Sequence, residues 1–76
     1  MNKRPSPLTP KEWLIDLFGS RAASSGGVVR RKARDIERYV GRADFESELR
    51  RRGFHAIENA DQVVIFCNQE PIHVIR

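Results

Sequence analysis

The chain has 76 residues, enough for one small domain that buries only about 60% of its unfolded surface, and far too few for a barrel enzyme of roughly 250 residues. Charged side chains make up 32% and the residues AVILMFWYC 39%, an ordinary globular balance away from the disordered corner. Fourteen Lys and Arg against ten Asp and Glu leave a net +4, which favours anionic partners without naming one.

Residues 1–8 open with Met1-Asn2-Lys3-Arg4-Pro5-Ser6-Pro7, where the basic pair is followed by no apolar stretch, so the expectation is a flexible, proline-stiffened tail and not a signal peptide. A single domain is expected over residues 9–76. Thr9-Pro10-Lys11-Glu12 carries an N-cap, a proline at the first helical position and a glutamate that closes a capping box. A helix over residues 10–22 follows, with Trp13, Leu14, Leu17 and Phe18 as one apolar stripe. That stripe needs a cover, which makes Trp13, Leu17 and Phe18 a candidate interaction surface. Ser24-Ser25-Gly26-Gly27 breaks the pattern and reads as a hinge at residues 24–27.

Val28-Val29 opens a short strand, and from Arg34 a helical period places Ile36, Tyr39 and Val40 together until Gly41 caps the segment. A further helix over residues 43–52 has Asp44 and Glu46 in its first turns, Phe45 and Leu49 on its inward side, Arg50-Arg51-Arg52 in its last turn and Gly53 after its end. Three apolar runs then follow, over residues 54–58, 62–68 and 71–75, with short polar links between them. The expected fold class is α+β, with two to three helices packed on a small three-stranded antiparallel meander at the C-terminal end. Val63-Val64-Ile65-Phe66-Cys67 does not alternate with polar residues, so both faces of this central strand should be covered, by the helices on one side and by the first helix or a second copy on the other.

The basic excess is concentrated. Residues 21–53 hold ten basic and five acidic side chains, while residues 54–76 hold one and three. Arg30, Arg31, Lys32 and Arg34 form one cluster, and Arg50, Arg51 and Arg52 a second. Runs of this kind are the electrostatic footprint of phosphate binding. Dipole complementarity at a helix end accounts equally well for Arg50 to Arg52, so the phosphate-contact candidates are Arg30, Arg31, Lys32 and Arg34, expected to face solvent between anchors at Val28 and Ile36.

Catalytic chemistry lacks an anchor. His55 and His73 fall on expected strands with no zinc-ligand spacing around them, so no metal is expected. Cys67 ends an apolar run and reads as a buried, inert thiol. Gly26-Gly27 lacks the flanking glycines and lysine of a phosphate loop, and no cofactor is implied. A lone cysteine makes a cytoplasmic setting the expectation, and the longest apolar run, five residues from Val63, excludes a membrane helix.

Three resemblances bear on this reading. The order helix, short strand, helix, helix, hairpin over residues 10–67, with Phe45-Glu46-Ser47-Glu48-Leu49-Arg50-Arg51-Arg52-Gly53-Phe54 as third helix and start of the wing, resembles a winged helix. That likeness implies DNA binding through a helix that carries Asp44, Glu46 and Glu48. Glu48-Leu49-Arg50-Arg51-Arg52-Gly53-Phe54 followed by three strands is similar to HicA-type toxins, small ribonucleases, but Asp61-Gln62-Val63 stands where that family has its Gly-Ser-His signature. The catalytic histidine therefore does not carry over. Gly26-Gly27-Val28-Val29-Arg30-Arg31, Arg52-Gly53-Phe54-His55-Ala56 and Val64-Ile65-Phe66-Cys67-Asn68 look like a group of short uncharacterised bacterial proteins, some labelled phosphoribosylanthranilate isomerase, an activity that needs a full barrel. The expectation is a small basic non-enzymatic binding module, with nucleic acid as the first partner class. Its alternative is a protein-interaction or self-association module.

Overall fold

A computed structural model describes residues 9–76, so the tail expected over residues 1–8 lies outside the described residues. The elements are α1 (Pro10–Phe18), α2 (Arg21–Ser24), β1 (Val28–Lys32), α3 (Ala33–Tyr39), α4 (Arg42–Arg52), β2 (His55–Asn59) and β3 (Gln62–Phe66). The protein is α+β with a three-stranded antiparallel sheet in the order β1-β3-β2.

The capping box forms as expected. Thr9 Oγ1 accepts the Glu12 N–H at 3.1 Å while the Thr9 N–H donates to Glu12 Oε1, also at 3.1 Å. The first helix stops at Phe18, four residues before the expected end at Ala22, because Ser20 caps a new helix by accepting the Ala23 N–H at 3.3 Å. This bend sends Leu17, Phe18 and Ala23 into one core. The Ser/Gly segment expected to be a hinge is tied to the sheet. Gly27 O accepts the Cys67 N–H at 2.9 Å and Gly26 O accepts the Asn68 side-chain amide at 3.0 Å.

Two glycines earn their places through positive φ. Gly41, at φ 98°, makes the tight turn from α3 into α4, and Gly53, at φ 75°, closes α4 in the left-handed region. The Phe54 N–H then donates to Leu49 O at 3.0 Å, folding the Phe54 ring to within 5.6 Å of Phe18. α4 starts one residue earlier than expected and ends where expected.

The third strand differs from the expected one. Residues 71–75 form no strand, and β1 takes that place, five residues long and paired with β3 from Val28↔Phe66 to Lys32↔Gln62. With β1 and β2 on both of its edges, β3 has no free edge left for a C-terminal strand, and Pro71 has no N–H to donate to a ladder. The three strands implied after α4 by the HicA likeness are therefore two.

The core comprises Leu17, Phe18, Ala23, Val29, Ile36, Phe45, Leu49, Val63, Ile65 and Cys67. Ile36 and Ile65 are fully buried, and each stabilises the fold by about 1.5–3 kcal/mol through lost water contact. β3 alternates after all: Val63 and Ile65 point at the helices, whereas Val64 and Phe66 on the other face are half-buried. α1 packs on the same side as α3 and α4, since Leu17 and Phe18 share a core with Ile36 and Phe45. Among the described residues, the second face of the sheet thus lacks the helical cover that was expected.

Candidate nucleic-acid interface

The period of two along β1 sorts its side chains. Val29 and Arg31 fall on the helix side, and Val28, Arg30 and Lys32 on the uncovered side. Strand register then builds that uncovered face in three rows: Val28, Phe66 and His55; Arg30, Val64 and Ile57; Lys32, Gln62 and Asn59. Val28 and Ile57 are each 48% exposed. These three rows carry two cations and no carboxylate.

The four expected phosphate contacts do not stay together. Arg30 and Lys32 are exposed on the open face, and Arg34 is exposed near the start of α3. Arg31 is half-buried on the helix side, where its guanidinium donates to Arg30 O at 2.6 Å. Val28 is no anchor for this segment. Val29, only 6% exposed, and Ile36 take that role. Among the described residues none of Arg30, Arg31, Lys32 and Arg34 pairs with a carboxylate.

The second basic cluster is largely neutralised within the protein. Arg51 grips Glu48 through Nη2 at 2.5 Å and Nε at 3.2 Å, and Arg52 Nε reaches the same carboxylate at 2.6 Å. Hydrogen bonding from Arg51, with a further contribution from Arg52, holds the Glu48 carboxyl below its ordinary range against the opposing effect of burial. The Arg52 guanidinium also lies 4.4 Å from the Phe18 ring centroid. Arg50 alone of the three has neither partner. Arg42, missed by the sequence reading, joins three elements: it binds Glu46 and Glu58 at 2.9 Å each and lies 3.9 Å from Glu37.

The apolar stripe of α1 is spent internally. Leu17 and Phe18 are buried, and Trp13, half-buried, stacks on Tyr39 at 6.1 Å with an interplanar angle of 11°. The expected interaction surface at Trp13, Leu17 and Phe18 is therefore not a free one. Cys67 is buried, and desolvation pushes its thiol up from the ordinary value, partly offset by Arg52 and Arg31.

Two concavities went unread in the sequence because each joins distant segments. A groove of about 300 Å³ between α4 and β2 has Phe45, Leu49 and Ala56 along it, with Arg42 and Arg50 among its lining. A second cleft, of about 470 Å³, lies on the uncovered side, where Asn68, Glu70, Pro71, Ile72, His73 and Val74 pass beside Ile57 and Phe66. The C-terminal segment is moored there by the Asn68 side chain on Gly26 O and by Gln69 Nε2, which donates to Arg52 O at 3.1 Å. His73 lies on this irregular segment and not on a strand, while His55 is exposed on the open face. No protein-family model, curated protein or solved structure matches the chain.

Proposed function

We propose that this protein is a small basic binding module that takes nucleic acid on the uncovered face of its sheet. The observation that carries the reading is the placement of Arg30 and Lys32, unpaired, in strand rows without carboxylates and beside half-exposed Val64 and Phe66. Cations free of internal partners are the ones that release counterions when they meet phosphates. The winged-helix likeness offers α4 as the contact instead, but α4 carries Asp44, Glu46 and Glu48, and two of its last three arginines are held by Glu48. The sheet face is the better phosphate surface.

Titrating duplex DNA and single-stranded RNA at two salt concentrations tests this reading, with about 50 mM and 200 mM as suitable points. Binding should weaken as salt rises. Absence of binding at the lower concentration, or binding indifferent to salt, rejects it.

A second reading rests on a separate observation, the 48% exposure of Val28 and Ile57 on a sheet face without helical cover. A second copy placed on that face would bury it. Sedimentation at micromolar concentration tells the two apart, because a monomer leaves the face free for a ligand.

A further inference from the structure

We infer that the nucleic acid taken by this face is single-stranded, with one base inserted in the cleft between Phe66 and the C-terminal segment and its flanking phosphates on Arg30 and Lys32. The inference rests on the nucleic-acid reading and goes beyond it to the form of the ligand.

The geometry favours an unpaired strand. Phe66 sits in the central strand of the open face, and a cleft of about 470 Å³ opens beside it, lined by Ile57, Pro71, Ile72 and His73. Such a space admits a flat ring between apolar walls, but a base inside a duplex already has both faces stacked and cannot enter it. Arg30 pairs with Val64, one row from Phe66, which puts it on the diagonal within reach of what lies on that ring. Lys32 lies one row further along the same edge, so the two cations form a track leading away from the cleft. Glu70 is the one carboxylate among the cleft residues, and a carboxylate there accepts from an exocyclic amino group, as on cytosine, and repels a phosphate. The base therefore points into the cleft and the backbone runs outside it.

The test uses the full chain and a fluorescein-labelled oligo(dC) of about 12 nucleotides, within the range of single-strand site sizes, alone and annealed to oligo(dG). The expected result is at least tenfold tighter binding of the single strand. Phe66→Leu, which keeps the position apolar, should weaken it about tenfold while leaving its salt dependence unchanged. Arg30→Gln should weaken it and also flatten that dependence. Equal affinity for both forms, or full affinity in folded Phe66→Leu, overturns the inference and leaves the nucleic-acid reading standing. Binding of neither form removes both. If Phe66→Leu loses its cooperative unfolding transition, His73→Ala on the exposed segment replaces it, and retention of full single-strand affinity there overturns the inference equally.

Discussion

Glu48 accepts from two arginines on its own helix, and its carboxylate side chain is only 16% exposed. Because its folded-state titration lies below the ordinary glutamate value of about 4.3, the stabilisation is fully present above that pH and is lost as pH falls through the depressed range. Glu48→Gln should cost about 1 kcal/mol at neutral pH, read from urea denaturation, and the cost should shrink in acid. An unchanged variant at pH 7 would mean that these ion pairs contribute nothing. Arg50 to Arg52 are expected from the sequence to answer the helix dipole, and the structure adds that Arg51 and Arg52, three and four residues from Glu48, are paired with it. The stacking of Arg52 on Phe18 was not visible, since it crosses 34 positions of sequence and depends on where α1 bends.

At the level of elements, local chemistry was legible and edges were not. Thr9, Gly41 and Gly53 mark helix boundaries by their own conformational demands, and the structure uses all three. Val28-Val29 signals the opening of β1 but not its length, because Arg30, Arg31 and Lys32 have little strand propensity and enter the sheet by pairing with β3. That pairing divides the basic cluster between two faces, which fixes the expected effect of removing it. Arg30→Gln and Lys32→Gln combined should lower the salt slope of single-strand binding by about 1.4 units, at about 0.7 per contact. Arg31→Gln should leave that slope unchanged, since its side chain lies on the helix side. A loss of slope in the Arg31 variant as large as in the double variant would place the ligand on the wrong face. The turn between β2 and β3 makes a prediction of its own. Ala60 sits there at φ 56°, a left-handed conformation that costs an alanine about 1 kcal/mol, so Ala60→Gly should raise stability by about 0.5 kcal/mol after the added freedom of the unfolded chain is counted. Thermal unfolding checks the sign.

For the molecule as a whole, the apolar run of β3 carried two meanings that the sequence could not separate. Every residue from Val63 to Cys67 is apolar, which signals two covered faces when read alone. The structure puts the helices of the described residues on one of them, because the bend after Phe18 returns α1 to the side of α3 and α4. Neighbouring positions of one strand should therefore answer mutation in opposite ways. Ile65, fully buried, is held by core contacts on the helix side, and Ile65→Ala should cost about 2–5 kcal/mol. In a domain of this size that is most of the stability available, so the cooperative transition should be lost or moved well below the temperature of the parent protein. Val64→Thr and Phe66→Leu, on the open face, should each stay within about 1 kcal/mol of the parent, because their side chains already meet water and leave little cavity behind. Should a second copy cover this face instead, both variants would destabilise the dimer, and the melting temperature of the parent would rise with protein concentration. A melting temperature independent of concentration, with Ile65→Ala severe and Phe66→Leu mild, assigns one side of the strand to the fold and leaves the other for a ligand.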